Sequence, residues 1–222
     1  MVAATPVRGS GLKHALVFAE EVHDQQKRAG LWLPQHAFVQ AVRDGSASRR
    51  EFSVWVSRIY RVTSVYGELL RAMCPPPPVG VWTDPWRDMG QLSELAAGLG
   101  MAPAGMANSG TNPATRAVQI WLTQNLTNRS EHVAAQVCWA LVEAMNPETG
   151  ACLAEGAARH FGLKGAALEY FKIGMKSRRR ADRYAGNLLT RIDEDDWRLI
   201  LEKTLLVSRL MVQLYDSVGE EC

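Results

Sequence analysis

Apolar side chains recur at three- and four-residue steps through most of the chain, the spacing that lines one face of an α-helix. The clearest run is Phe52, Val56, Ile59, Thr63, Tyr66 and Leu70, a core-facing stripe on a helix expected to run to about Met73. Ser48 stands three residues before Glu51 and opens that helix as a capping box, each side chain accepting from the other residue's backbone amide. An earlier helix spans about Gly11 to Arg28, with Leu12, Leu16, Ala19 and His23 near one face, and a short one covers Gln35 to Arg43 before the Asp44-Gly45 turn. The proline run Cys74 to Gly80 stops helix and favours an extended spacer, because proline lacks the amide hydrogen and obstructs the preceding turn. Beyond it the periodicity predicts helices over Trp86–Leu99, Pro113–Thr127, Ser130–Met145, Thr149–Phe161, Lys164–Thr190 and Glu194–Val218. No segment offers the β-branched alternation of a strand. The expectation is an all-α single domain over 1–222, with N-terminal helices in 10–73, a Pro/Gly-rich connection with a short helix in 74–112, and C-terminal helices in 113–218.

Composition narrows the function classes. A chain of 222 residues with 47% hydrophobic content can bury a sizeable core. A net charge of +2 gives no strong preference for nucleic acid. No apolar run approaches the roughly 20 residues that cross a bilayer, and the N-terminal stretch lacks the apolar core of a signal peptide. A cytoplasmic protein without a membrane partner is expected. Cys74, Cys138, Cys152 and Cys222 are scattered without metal spacing, which reads as reduced thiols.

Three patterns carry candidate chemistry. On the helix from Ser130, the residues His132, Gln136, Trp139 and Glu143 form one stripe. A glutamate beside a tryptophan and shielded from water has its pKa raised and serves as a general acid or base. On the helix from Lys164, Gly174, Arg178, Ala181 and Ala185 share a face, while Lys172, Lys176, Arg179 and Arg183 form a positive stripe almost opposite. That stripe is either a solvated face or a dock for an acidic carrier protein or partner subunit. Cys138 lies off the Glu143 stripe, beside Ala134, Leu141 and Met145, as a buried small hydrophobe would. Trp82 and Trp86, beside the proline run, suit either a pocket wall or an interface.

Two segments resemble a known superfamily. One is HAFVQAVRDGSASRREFSVWVSRIYRVTSVYG, from His36 to Gly67. The other runs from Trp139 to Leu189, with a helix bearing Glu143, a helix ending at Phe161-Gly162-Leu163, and Tyr170-Phe171 opening the next, all preceded by NPATRAVQIW. Their order is similar to the heme-oxygenase-like superfamily, which includes TenA-type thiaminases, PqqC-type oxidases and di-iron oxidases of specialised metabolism. The resemblance implies a single helical bundle. It also implies what is missing: the His, Asp and His of the di-iron members' last helix fall on Gly174, Arg178 and Ala181, and the upstream Glu and His fall on Val81 and Asp88. Glu143 matches one bridging carboxylate. Among TenA-type residues, the catalytic cysteine matches Cys138, the acid before the tyrosine that matches Tyr60 is replaced by Ile59, and the late acid has no match in the last helix. Heme oxygenases use a first-helix histidine, for which His14 and His23 are the candidates.

The reading that follows is a metal-independent small-molecule enzyme of specialised, antibiotic-type metabolism, working by acid–base assisted cyclisation, substitution, elimination or hydrolysis without a cofactor. Glu143 handles the proton and pairs with Arg178, Arg178 grips an anionic group on a free or carrier-bound substrate, and Tyr60 supplies a hydroxyl. Trp139, Tyr66, Gly174 and Ala181 shape the substrate site, and a homodimer or a heterodimer with a homologue is expected. The alternatives are a non-catalytic subunit of an active homologue, and an oxygen-dependent enzyme holding iron or heme through His14, His23 and Glu143.

Overall fold

A computed structural model describes residues 9–72, 85–102, 106, 112–174 and 178–221. Those residues form ten α-helices joined by short turns and 3-10 segments, with no strand among them. The helices are α1 (Gly9–Arg28), α2 (Ala37–Asp44), α3 (Arg49–Ala72), α4 (Pro85–Gly98), α5 (Pro113–Leu126), α6 (His132–Glu143), α7 (Asn146–His160), α8 (Glu169–Gly174), α9 (Arg178–Leu189) and α10 (Trp197–Asp216). The expected proline spacer and Trp82 lie outside the described residues, as does the side chain of Trp86.

Local chemistry sets the helix ends. Ser48 and Glu51 close the predicted capping box, Glu51 N donating to Ser48 Oγ at 3.1 Å and Ser48 N to Glu51 Oε2 at 2.6 Å. Hydrogen bonding from Ser48, its backbone N–H first and then its hydroxyl, lowers the pKa of the Glu51 carboxyl. α5 starts with Pro113 after Asn112, whose Oδ1 accepts from Ala114 N at 2.8 Å. α2 ends on Gly45 at φ +83°, a left-handed conformation that suits glycine.

The core stripe of α3 runs through Phe52, Val56, Ile59, Val62, Tyr66 and Leu70, all buried, so its centre passes through Val62 and leaves Thr63 at the margin. The continuous helix predicted over Lys164–Thr190 is instead a 3-10 turn at Gly165–Leu168 followed by α8 and α9. Gly165 has φ +57° and breaks the α-helical path there. α6 is the central element, buried along Ala135 and from Val137 to Val142, and it packs on α5, α9 and α10. α2 lies against α7 at Gly156, where an added Cβ would sit 2.1 Å from the Val42 carbonyl oxygen. Arg58 of α3 is buried and caps the end of α10, donating to the carbonyls of Leu214 (3.1 Å) and Ser217 (2.8 Å).

Candidate active site

Glu143, Trp139, Tyr66, Tyr170 and Tyr184 come from α6, α3, α8 and α9. Glu143 closes α6, and its Oε1 accepts from Trp139 Nε1 at 2.8 Å, one turn earlier on the same stripe. Trp139 is buried, and its ring lies 5.5 Å from that of Tyr66 on α3. Tyr170 of α8 faces the same acid: burial raises its phenol well above the ordinary value, and the nearby charges of Asp88, Tyr215 and Glu143 add to the rise. Tyr184 of α9 donates to Gln136 Oε1 at 2.7 Å, and burial followed by the Glu143 charge raises its phenol too. Asp88 of α4 and Glu143 of α6 thus both lie within electrostatic range of a buried phenol whose pKa is raised. Such a set can move a proton or stabilise a developing cation inside an aromatic wall.

The predicted site residues divide. Glu143, Trp139 and Tyr66 come together. Tyr60 packs half-buried against the core. Ala181 is fully buried in helix packing, and Gly174 is the last residue of α8. The expected Arg178–Glu143 ion pair is replaced by another: Arg178 Nη1 donates to Glu148 Oε1 at 3.0 Å, and its Nε lies 3.9 Å from Asp182 Oδ2. α9 packs against α6 and α1, and Arg178 at its start sits over the Trp32 ring at 5.4 Å. Trp32 Nε1 donates in turn to Glu148 Oε2 at 3.2 Å.

His23 joins that second network. Its Nε2 lies 2.8 Å from Asp182 Oδ1 and its Nδ1 lies 3.0 Å from Gln26 Oε1, while Gln26 Nε2 donates to Ser208 Oγ at 2.9 Å. Both ring nitrogens of this buried histidine are engaged, so neither is presented to a heme iron. His14 is two-thirds exposed and lies 3.8 Å from Glu194. The first helix does not fit heme. The donor set does not fit an iron centre either: among the described residues no three His, Cys, Asp or Glu side chains group as metal ligands, and Arg178 and Ala181 offer none. Cys138 is buried with its thiol pointing at the Ile200 carbonyl, 3.6 Å away, and burial pushes its pKa up to about 11. This burial matches the small apolar filler that the sequence suggested.

No known family model matches the sequence, and no curated protein is similar to it by sequence. Solved structures are similar in shape. A TenA homolog from Pseudomonas syringae pv. tomato superposes with a TM-score of 0.77 at 9% identity, over 99% of both chains. Heme oxygenase-1 from the cyanobacterium Synechocystis, in complex with heme, gives 0.69 at 12% identity, over 92% of this chain and 93% of that one. The chain has the heme-oxygenase-like fold. A putative TenA-like thiaminase from Sulfolobus solfataricus gives 0.65 at 13% identity, over 99% of this chain and 98% of that one. At such identities the likeness speaks for the fold alone.

Asp88, Tyr170 and Tyr184 were not singled out as site residues from the sequence. Tyr170 carried a signal, since it opens the motif that follows Phe161-Gly162-Leu163, and Asp88 stood at a lost ligand position. Tyr184 and Asp182 lie inside the run SRRRADRY, where the surrounding arginines masked them.

Proposed function

We propose that this chain is a small-molecule enzyme that uses acid–base chemistry in the interior of its heme-oxygenase-like bundle. The observation that carries the proposal is Glu143, oriented by Trp139 and set with Asp88 against the protonated phenol of Tyr170. Glu143 takes or returns the proton, Tyr170 donates a hydrogen bond, and Tyr66 and Trp139 wall the substrate. The donor set supports chemistry without iron or heme, by cyclisation, substitution, elimination or hydrolysis. The same proposal assigns it to specialised metabolism. The test is turnover in a metabolite extract followed by mass spectrometry, comparing the wild-type protein with Glu143→Gln. At least one compound consumed by the wild type should be spared at least about 100-fold by the variant, at matched folding. Equal consumption by both would refute the role of Glu143.

A second reading has its own observation. Of the predicted basic stripe, Lys172 on α8 and Arg179 and Arg183 on α9 are exposed, and Lys176 lies outside the described residues. An acidic carrier protein or a homologous subunit would dock there, which co-purification of differently tagged chains and its loss on raising salt would reveal.

A further inference from the structure

The hydrogen bonds around His23 have a direction, and it is set at Ser208 on α10. The Ser208 hydroxyl lies 2.7 Å from the Thr204 carbonyl oxygen, and a carbonyl only accepts, so the single hydroxyl hydrogen is spent there. Ser208 Oγ then has only lone pairs left for Gln26, whose Nε2 donates to it at 2.9 Å. That bond turns the other end of the Gln26 amide, the acceptor Oε1, toward His23 Nδ1 at 3.0 Å. The Asp182 carboxylate faces Nε2 at 2.8 Å. The imidazole thus sits between two acceptors, and it bonds both only with a hydrogen on each nitrogen. His23, Gln26, Thr204 and Ser208 are all fully buried, so a mismatched donor or acceptor in this chain has no water to turn to.

Charges of both signs surround the ring. From α9, Asp182 favours a positive imidazole, and Arg178, whose Nε lies 3.9 Å from the same carboxylate, opposes it. Arg178 is itself met by Glu148 of α7 at 3.0 Å. From α1, Lys27 lies over the Trp32 ring at 4.8 Å and pairs with Asp24 at 3.9 Å, and the Trp32 ring stands edge-on to His23 at 5.7 Å. The two α10 side chains in the chain of bonds, Thr204 and Ser208, carry no charge. Each nearby cation therefore has a carboxylate of its own, and Asp182 is left as the direct partner of the ring.

We infer that His23 is a proton-held latch, which joins α1 to α9 through Asp182 and to α10 through Gln26 and Ser208 only while both ring nitrogens carry hydrogen. A neutral ring keeps its hydrogen on Nε2 for the carboxylate, so Nδ1 becomes an acceptor. Gln26 then has to turn its amide over, which brings Oε1 against Ser208 Oγ. The Ser208 hydrogen has to leave the Thr204 carbonyl to meet it, and two oxygens 2.7 Å apart are left with no hydrogen between them. The latch is set with both protons in place and is released when rising pH removes one. It is independent of the role of Glu143.

The test is nitrogen NMR of the histidine rings in the isotopically labelled full chain, followed over a pH series in the wild type and in Ser208→Ala. Wild-type His23 should show two protonated ring nitrogens at neutral pH. Ser208→Ala removes the hydroxyl that orients Gln26 and touches neither the ring nor Asp182. The amide is then free to donate to Nδ1, so the variant should hold the second ring proton about tenfold less tightly. Gln26→Met removes the acceptor for that proton, should give the same loss, and serves if Ser208→Ala impairs folding. A bare ring nitrogen on wild-type His23 at neutral pH would overturn the latch, as would a titration of His23 that is the same in wild type and variant.

Discussion

At the scale of single residues, three side chains make separable predictions. The Cys138 thiol, pushed up to about 11 by burial, should resist iodoacetamide at pH 8 while half-buried Cys152 is modified. Peptide mapping checks this, and fast labelling of Cys138 in the folded protein would contradict its burial. Arg58→Met should cost about 3 kcal/mol in denaturant unfolding, because it strips charged hydrogen bonds from the buried end of α10. Glu51 gives a pH dependence whose sign follows from its lowered pKa. Its contribution is complete above the ordinary glutamate value of 4.5 and fades as pH falls through the lower folded value. The acid limb of the stability curve should therefore flatten in Glu51→Gln. What was legible at this scale was local: the Ser48–Glu51 box, the Trp139–Glu143 stripe and the filler role of Cys138 each depend on neighbours within a turn or on an apolar face. The partner of Arg178 was not legible, because Glu148 is 30 residues away and is chosen by how α9 docks.

At the scale of elements, the contact between α2 and α7 is the least forgiving. Gly156→Ala would drive a methyl into the backbone at Val42 and Arg43, and it should cost about 3 kcal/mol or more through overpacking. Chemical denaturation measures it, and a neutral result would mean that the two helices sit farther apart. Arg178→Ala is expected to be mild by comparison, about 1 kcal/mol, since its pair with Glu148 is partly exposed. The same variant should leave turnover within about twofold, because Arg178 ties α9 to α7 and Trp32 and does not face Glu143. The helices themselves were mostly readable from periodicity and caps, with ends shifted by a few residues as fraying termini allow. The segment from Lys164 was misread because its apolar spacing continues through Gly165, while that glycine's left-handed backbone does not.

At the scale of the whole molecule, the bundle has the heme-oxygenase-like shape at 9–13% sequence identity. Fold was recoverable because the arrangement of the helices is shared over almost the whole chain at low identity. The candidate site was only partly recoverable, because Asp88, Glu143 and Tyr170 come from three separate helices that approach only on folding. His23 of the first helix is likewise spent on Asp182 and Gln26. No helix among the described residues is long and apolar enough to cross a membrane.

The most direct measurement is elemental analysis with an absorption spectrum of the purified protein, before and after addition of iron(II) or hemin. The account predicts no stoichiometric iron and no histidine-ligated Soret band under either condition, with full folding throughout. Stoichiometric iron that disappears in Glu143→Ala, or a Soret band that disappears in His23→Ala, would contradict it and return this interior to oxygen chemistry.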